Sequence, residues 1–559
     1  MIDFANILTT LAQQPIAPPL SHGVVENIGA LLPEIILLIG GTICLITGLG
    51  REDGTRKATS WIAGIAILVA IAFIPPWKDL SQGFYAITDM VSFIKLAVCI
   101  IGFILLLVCA SVPDLLPQTT KAESAKKFEP EKIFRGEFFA FFLFSLTGVM
   151  LTAGAKDLIW LFLALELTSL PTYVMVASAR KNIAAQEAGV KYFFLGALSA
   201  AIFLYGFAFI YGATGYTDFQ SIATEISRQV ALNNGHLPGM LLIGLVLAII
   251  GLCFKIAAFP MHYYAADVYE GASSAVTAFL AFVPKTAGFA ALILILTLVG
   301  WKFGPDANHL PPMIDVLLWF IAVITMTVGN VLAVVQSSVK RALAYSSVAH
   351  SGYMIVGLLA GPALLKAANA DPSFGYAIGD GLAAIIFYLI AYGLATVGSF
   401  AVLACLRNKE GEEVDRFDEL GGLVRHHPLL AGIMALSVLS LLGIPPMVGF
   451  LGKIYLFGSA YEAGFYWLVI IGVLNTAISG AYYLRIAAGA FFAKPTEGIT
   501  VTHTPGRIFG AFIGGVAALA LGFFGGSLID TADRAAEDIT TQFQIEPQQT
   551  NAEQSLVQK

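Results

Sequence analysis

The sequence predicts an all-α polytopic membrane protein with about 14 transmembrane helices. Hydrophobic residues make up 57% of the 559-residue chain, charged residues make up only 12%, and the mean hydropathy is +0.80. Soluble domains carry about 25% charged residues. The chain divides into apolar runs of about 18–30 residues, each long enough to cross ~30 Å of hydrocarbon as a helix. Because lipid cannot pair exposed backbone groups, we expect helices rather than open strands.

The predicted spans follow one another along the chain, separated by more polar connections. Their approximate bounds are 28–49, 59–76, 90–111, 136–154, 157–177, 189–213, 238–260, 274–300, 312–335, 340–361, 380–406, 429–459, 464–490 and 506–526.

Basic residues are distributed unevenly between the loops on the two sides of the membrane. Nineteen of the 31 Lys and Arg residues fall in one set of loops or at the span ends beside them, and seven fall in the opposite set, which includes both tails. Since loops rich in Lys and Arg stay cytoplasmic, we predict that the first set faces the cytoplasm and that both termini lie outside. The remaining five lie within spans: Lys95, Lys191, Lys255, Lys285 and Lys453.

Two spans contain helix-breaking residues close to a lysine. The twelfth is about 31 residues long and contains GIPPMVGF, in which Pro445, Pro446 and Gly449 can interrupt the helix. The seventh ends in FKIAAFPMHYY, where Pro260 follows Lys255. Interrupted helices in corresponding places of two halves are typical of transport sites built on inverted repeats. The alternative is a proline that the membrane helix simply tolerates.

The interrupted spans are five apart, which predicts paired repeats of helices 4–8 and 9–13. The chain then divides into five segments. They are residues 1–135 with helices 1–3 and a cytoplasmic loop, 136–300 with the first repeat, 301–490 with the second, inverted repeat, 491–528 with helix 14, and 529–559 as a polar C-terminal tail.

Four ionisable residues lie deep in apolar sequence. Glu166 and Lys285 fall near the middle of their spans, and Lys255 and Lys453 lie beside the two predicted breaks. A charge at the bilayer centre costs about 2.5–3.5 kcal/mol on insertion scales. Burial disfavours an ammonium group and a nearby carboxylate restores it, so a Glu–Lys pair that opens and closes can release and take up a proton. We predict that these residues carry protons; a purely structural role is the alternative for each.

His350 is the one histidine that the sequence places among many hydroxyl groups inside a span. Its neighbours in AYSSVAHSGYMIVGLL are Ser346, Ser347, Ser351 and Tyr353. These hydroxyls either satisfy a buried neutral imidazole or form part of a proton relay, because imidazole exchanges protons near neutral pH.

Three further charged residues lie near the ends of spans. Lys191 fits a proton-carrying site and a lysine that reaches the interface equally well. Lys95 is predicted to be such an interfacial anchor. Glu34 follows Pro33 in the first turn of a helix, where the helix dipole favours a carboxylate, and is predicted to be structural.

Six sequence motifs, spread over most of the chain, carry a resemblance to a known family. They are LELTSLPTYVMVA around Glu166, KYFFLGALSAAIFLYG from Lys191, GLCFKIAAFPMHYYAADVYEGA around Lys255, the site at Lys285, VKRALAYSSVAHSGYMIVGL around His350 and GIPPMVGFLGKIYLF around Lys453. Together they resemble the antiporter-like membrane subunits of respiratory complex I, the NADH-quinone oxidoreductase, and specifically the N type.

Particular positions favour the N type over its sister subunits. Lys453 stands where the M type is typically acidic, and the long lateral helix of the L type is not visible after the last span. The chain departs from the family at Tyr264 and Ala266, where the family more often has tryptophan and proline. This departure affects the packing of one loop and leaves the neighbouring lysine in place.

The resemblance implies fourteen helices, two inverted five-helix repeats and broken helices 7 and 12. It also implies a polar axis in which Glu166 pairs with Lys255, Lys285 lies between the halves, and Lys453 lies at the far end. The implied activity is proton translocation within an assembly that oxidises NADH and reduces quinone. The implied location is a cell inner membrane, multi-pass, with both termini on the periplasmic side.

The residues themselves indicate that redox chemistry takes place elsewhere. The five cysteines lie in apolar runs without CxxC spacing, and the sequence has neither a GxGxxG-bearing domain nor a Cys/His cluster. We therefore expect no cofactor on this chain, with NADH, FMN, iron–sulfur clusters and quinone in partner subunits. The expected partners are the other complex I membrane subunits, the lipid bilayer and protons, and no basic patch suggests nucleic acid.

Two other functions remain open from the sequence. A subunit of a multi-subunit Na⁺/H⁺ antiporter shares this architecture. A structural membrane scaffold with no proton path of its own is the second alternative.

Overall fold

The protein is described here by a computed structural model. It describes residues 29–50, 53–74, 89–112, 130–178, 183–304, 309–362, 380–496, 498–502 and 504–543. Ten of the described helices are long and apolar enough to cross a membrane, and four shorter helices are apolar as well. A helix lies in each of the fourteen predicted spans, and the all-α membrane fold is confirmed.

The helices follow the order of the sequence. The first part of the chain forms α1 (Leu32–Gly48), α2 (Asp53–Ala72), α3 (Asp89–Cys109), α4 (Pro130–Ala153), α5 (Leu158–Ser178), α6 (Ile183–Thr214), α7 (Phe219–Leu232), α8 (Gly239–Lys255), α9 (Tyr264–Gly271) and α10 (Ser274–Thr297). The second part forms α11 (Pro312–Val334), α12 (Val339–Ala360), α13 (Gly381–Cys405), α14 (Leu423–His426), α15 (Pro428–Leu442), α16 (Val448–Glu462), α17 (Tyr466–Phe492), α18 (Pro505–Phe524) and α19 (Gly526–Phe543).

The centre of the molecule is formed by α10, α12 and α13. Every residue of α10 is buried, and almost all of α12 and α13 is buried with it. The outer helices α6 and α17 instead expose large apolar side chains such as Phe194 and Trp467. Lys285 on α10 and Lys340 on α12 are therefore enclosed by protein and depend on protein partners.

The predicted break in the seventh span is confirmed. Helix α8 ends at Lys255, Ala257 takes the left-handed conformation with φ of +55°, and the chain becomes helical again at Tyr264. A break inside a membrane leaves backbone groups that need partners. The hydroxyl of Tyr264 donates to the Phe254 carbonyl at 2.8 Å, and the hydroxyl of Ser351 donates to the Ile256 carbonyl.

The break in the twelfth span is confirmed too, but Gly449 has a different role from the predicted one. Helix α15 ends at Leu442, Gly443 adopts a left-handed φ of +84°, and α16 starts at Val448. Gly449 therefore lies in the first turn of α16 rather than in the break. A Cβ at Gly449 would lie 1.9 Å from the Ser440 carbonyl oxygen, so the glycine allows α15 and α16 to approach each other closely.

Replacing Gly449 by alanine is expected to reduce the amount of folded protein in the membrane. Overpacking of this kind costs about 1–3 kcal/mol, because backbone rather than a flexible side chain has to move. The measurement is the yield of detergent-extracted protein in size-exclusion chromatography and its thermal unfolding midpoint. Gly432→Ala on α15 is the matched control, since a Cβ there meets nothing within 4 Å and should change neither value. Equal behaviour of the two variants would contradict the assigned role of Gly449.

A short ribbon lies outside the helical bundle. Strand β1 (Leu406–Arg407) pairs antiparallel with β2 (Thr500–Val501), with Leu406 opposite Val501. The loop after β1 contacts the start of α12, where the hydroxyl of Ser338 donates to an oxygen of Asp415 at 2.7 Å.

The predicted C-terminal tail begins with helix α19, which is polar and is packed onto the bundle. Ala532, Ala535 and Ala536 are buried, and the Tyr455 hydroxyl donates to Asp533. Burial raises the pKa of Asp533 to about 6. Residues 544–559 of the predicted tail lie outside the described residues.

Candidate functional site

Glu166 and Lys255 form a buried ion pair between α5 and α8. The Nζ atom of Lys255 lies 3.0 Å from Oε1 of Glu166 and donates a second hydrogen bond to the Ser169 hydroxyl. The Lys255 side chain is 2% exposed and that of Glu166 is 18% exposed. A buried ammonium is tolerated only with such partners, so each residue depends on the other.

The break after α8 explains why Lys255 lies in this position. Lys255 is the last residue of α8, and the negative end of the helix dipole favours a cation there. The backbone N–H of Phe259, beyond the break, donates to the Thr325 hydroxyl of α11 at 3.0 Å. Residues of the second predicted repeat therefore support the break in the first one.

Lys285 lies in the middle of α10 and bonds to α12. Its Nζ donates to the Ser347 carbonyl at 2.6 Å and contacts the Ser347 hydroxyl at 2.8 Å. It also lies 4.6 Å from the ring centroid of Tyr392. These three partners are neutral, so the ammonium is solvated by a carbonyl, a hydroxyl and a ring face.

His350 is bonded through both ring nitrogens. Nδ1 lies 2.7 Å from the Tyr388 hydroxyl, and Nε2 lies 2.8 Å from the Tyr483 hydroxyl. The Tyr483 hydroxyl also bonds Ser346. A hydroxyl both donates and accepts, so either imidazole nitrogen can exchange a proton with a neighbour. Tyr388 and Tyr483 come from α13 and α17.

The hydroxyls that lie next to His350 in the sequence were expected to bond its imidazole, but they have other partners. Ser347 bonds Lys285, Ser351 bonds the carbonyl of Ile256, and the ring of Tyr353 packs edge-on against the imidazole at 5.7 Å. Sequence reasoning missed the two tyrosines because they are 38 and 133 residues away in the chain.

Lys453 lies on α16 and binds the end of the neighbouring half-helix. Its Nζ donates to the carbonyl of Leu442, the last residue of α15, at 2.8 Å. It lies 4.9 Å from the ring centroid of Tyr353. Lys453 therefore places its ammonium at the C-terminal end of a broken helix, where the helix dipole favours positive charge. Lys255 is itself the last residue of the other broken helix, although its ammonium binds side chains of α5.

Helix α12 connects these groups into one line, which we call the buried axis: Glu166, Lys255, Lys285, His350 and Lys453. Ser347 binds Lys285, Ser351 binds the break next to Lys255, and Tyr353 lies between His350 and Lys453. The ring of Tyr392 lies beside both Lys285 and His350, with 5.0 Å between its centroid and the imidazole.

Lys191 lies away from the buried axis. Its side chain is 42% exposed and pairs with Glu187 and with Asp267, each at 2.8 Å. Asp267 also pairs with Arg341 at 2.9 Å, so these residues form an exposed network of charges between α6, α9 and α12. Exposed pairs of this kind contribute about 0–1 kcal/mol each.

The predicted interfacial anchor at Lys95 is wrong. Lys95 is 1% exposed, and its Nζ lies 2.9 Å from Glu34 and 2.8 Å from the Ala30 carbonyl. The position of Lys95 near the end of its span suggested that the side chain reaches the interface. Residues of α1 and the segment before it instead cover this end of α3. The expected structural role of Glu34 takes the form of an ion pair between α1 and α3.

Lys95→Met is expected to destabilise the protein, because removing one partner of a buried pair costs about 3–5 kcal/mol. The double variant Lys95→Met, Glu34→Met should recover much of that loss, since well-packed apolar residues often replace a buried pair at little cost. Thermal unfolding of the detergent-extracted protein measures both effects. A double variant no more stable than Lys95→Met would contradict this account.

The described residues contain no group of three or more His, Cys, Asp or Glu side chains that could hold a metal ion. All five cysteines are buried as free thiols.

Comparisons with known proteins agree in the kind of protein they identify. The family model "NADH:quinone oxidoreductase/Mrp antiporter, TM" matches residues 155–479. NADH-quinone oxidoreductase subunit N of Trichlorobacter lovleyi is 38% identical over 472 residues, which are 84% of this chain and 88% of that protein. The subunit N of Rhodospirillum rubrum is 35% identical over 520 residues, which are 92% of this chain and 98% of that protein.

Solved structures have the same fold. A chain of respiratory complex I from Thermus thermophilus with bound aureothin has a TM-score of 0.69 and 28% identity, covering 89% of this chain and 98% of that chain. A chain of the Mrp complex from Dietzia sp. has a TM-score of 0.71 at 20% identity, covering 93% of this chain and 99% of that chain. At this identity the second likeness concerns the fold alone.

Proposed function

The chain belongs to the antiporter-like membrane subunits of NADH-quinone oxidoreductase, of the N type, and we propose that it translocates protons through its buried axis. In this proposal NADH oxidation and quinone reduction take place in partner subunits, which hold the FMN and the iron–sulfur clusters. The protein lies in a cell inner membrane beside the other membrane subunits, with both termini on the periplasmic side.

The observation that carries the proposal is the alignment of buried ionisable groups along α12. Glu166, Lys255, Lys285, His350 and Lys453 each have a partner that can give or receive a hydrogen bond. Ionisable residues inside a membrane are costly, and those that face the protein interior commonly mark proton pathways. A structural role alone would not require four buried basic groups, one each on α8, α10, α12 and α16, to be connected through α12.

The Glu166–Lys255 pair supplies the elementary step. When Glu166 contacts Lys255, the two opposite charges stabilise each other. When Glu166 moves away, the Lys255 ammonium loses its counter-charge and gives up a proton more readily. A conformational change that opens the pair, driven by redox chemistry in the partner subunits, is thereby converted into proton movement towards Lys285.

The second half of the axis can conduct by exchange between hydroxyls and imidazole. Lys285, when charged, is held by Ser347 and the Tyr392 ring, and the His350 imidazole lies 5.0 Å from the centroid of that ring. Lys453 then receives the proton at the end of α15. Each transfer leaves one group neutral and charges the next, so the net charge of the axis is kept.

The experiment that tests this function uses the whole oxidoreductase purified through this subunit and reconstituted into liposomes. We expect the other membrane subunits to co-purify, and we expect proton uptake to require both NADH and a quinone. Proton movement driven by NADH without sodium ions supports the proposal. Absence of proton uptake by a complex that still oxidises NADH would contradict it.

A Na⁺/H⁺ antiporter subunit is the second candidate, favoured by the family model that covers both classes and by the fold of the Mrp chain. The same liposomes discriminate the two functions. An imposed sodium gradient should move no protons in the absence of NADH. Sodium-driven exchange without NADH would identify the antiporter.

A further inference from the structure

A second buried carboxylate–ammonium pair lies away from the buried axis. Lys340, in the first turn of α12, places Nζ 3.0 Å from Oε2 of Glu413, and the two side chains are only 1% and 6% exposed. Lys340 belongs to the loops that the charge count assigned to the cytoplasmic face. The structure instead encloses it under the loop that follows β1.

The Glu413 carboxylate faces the start of α10 as well as Lys340. Its Oε2 accepts hydrogen bonds from the backbone N–H and from the hydroxyl of Ser274, both at 2.8 Å. Arg407 lies 3.7 Å from Oε1 and keeps the group oriented. Lys340 has a second acceptor, the Ala272 carbonyl at 3.2 Å, so its ammonium has a partner available when it leaves the carboxylate.

The pair contacts the same two helices that position Lys285, namely α10 through Ser274 and α12 through Lys340. Ser274 and Lys285 are both on α10, about 16 Å apart along the helix at 1.5 Å per residue. Lys340 and Ser347, the partner of Lys285, are both on α12.

Hydroxyl groups occupy the interval between the pair and Lys285. The Tyr269 hydroxyl lies 3.4 Å from that of Ser347, which contacts Nζ of Lys285 at 2.8 Å. Thr277, one turn beyond Ser274, bonds the Tyr269 carbonyl at 3.2 Å. The polar side chains thus run from the loop face towards the middle of the buried axis.

We propose that Glu413 and Lys340 form a proton inlet that supplies Lys285 from the face carrying the basic loops. This proposal rests on the proposed function. Glu413 takes a proton from water at that face and becomes neutral while Lys340 turns to the Ala272 carbonyl. A proton passes along Ser274, Tyr269 and Ser347 to the free amine of Lys285, which becomes an ammonium. Glu413 returns to the carboxylate and binds Lys340 again, so protons and charge balance over the cycle.

Attaching the loop to α12 does not explain why Glu413 is present, because the neighbouring Asp415 already makes that attachment. Asp415 in the same loop accepts from the Ser338 hydroxyl at 2.7 Å and from the Lys340 N–H at 3.2 Å. The Asp415 carbonyl also accepts from the Val339 N–H at 2.6 Å. The loop is therefore attached to α12 independently of the Glu413 side chain.

The test compares three variants of the whole complex in inside-out membrane vesicles, with NADH as the donor. Glu413→Gln keeps the shape and removes the titratable group. Tyr269→Phe removes one hydroxyl inside the path and leaves the loop untouched. Asp415→Asn is the matched control, which retains a side-chain oxygen for Ser338. Assembly is measured on native gels, proton uptake by a fluorescent dye, and turnover in light and heavy water.

Glu413→Gln and Tyr269→Phe are each expected to slow proton uptake about tenfold or more in assembled complex, as for loss of a proton-transfer group. Their solvent isotope effect on turnover should rise, because proton entry becomes limiting. Asp415→Asn should match the unchanged protein. If Lys285→Met is impaired while both variants pump normally, the inlet is wrong and the proposed function stands. If Lys285→Met also pumps normally, the proposed function itself fails.

Discussion

Proton uptake is expected to fall by about 10²-fold or more when Lys285 is replaced by methionine, while the complex still assembles. Lys285 is the only lysine on the fully buried α10, and its Nζ bonds Ser347 on α12. Methionine fills nearly the same volume, so the helix keeps its packing while the proton-carrying group is lost. The proposed function couples redox chemistry to pumping, so NADH oxidation should slow together with proton uptake.

Lys285→Arg separates the charge of this residue from its ability to release a proton. Arginine keeps a positive charge but is not deprotonated in proteins, so a proton carrier should fail with arginine as it does with methionine. Lys302→Met is the control, since Lys302 is exposed in a loop. A scaffold without its own proton path predicts normal pumping in all three variants. Normal pumping by Lys285→Arg alone would show that only the charge is needed.

Glu166→Gln is expected to lower proton uptake about tenfold or more, with a smaller loss of assembled complex. The change leaves the Lys255 ammonium buried with the Ser169 hydroxyl and an uncharged amide instead of its counter-charge. Removing one partner of a fully buried pair costs about 3–5 kcal/mol. The partial exposure of Glu166 should reduce that cost, so the functional loss should exceed the loss of stability.

Glu187→Gln is the matched control for Glu166→Gln. Glu187 is an exposed carboxylate that also pairs with a lysine, Lys191, at 2.8 Å. Exposed pairs contribute about 0–1 kcal/mol, so neither assembly nor pumping should change. If both glutamine variants pump at the same rate as the unchanged protein, Glu166 does not belong to the proton path.

Local sequence signals predicted the membrane fold and the positions of its breaks. Prolines near Lys255 and Lys453 marked the two interruptions, because proline disfavours a continuous helix and lysine is costly in lipid. The same reasoning placed Glu166 and Lys285 deep in their spans. These features depend on neighbours in the chain, so the apolar runs and the prolines and charges within them are enough to reveal them.

Long-range contacts were not predictable in this way. Tyr388 and Tyr483 bind His350 from other helices, and the sequence offers no signal for pairs so far apart. Lys95 was assigned to the interface from its position near a span end, and Lys340 was assigned to the cytoplasmic loops by the charge count, but a neighbouring helix and a loop cover them. The loop after β1 folds back onto the start of α12 and buries Lys340, and the apolar runs that define the spans give no sign of this.

The central claim is that Glu166 and Lys285 act in series on one proton path. The most direct test is the rate of NADH-driven proton uptake in the double variant Glu166→Gln, Lys285→Arg, compared with each single variant in the same vesicles. Steps in series predict that the double variant is no worse than the more impaired single variant, because losses in one path do not add. Losses that multiply, or a rate of proton uptake unchanged in all three variants, would contradict the claim.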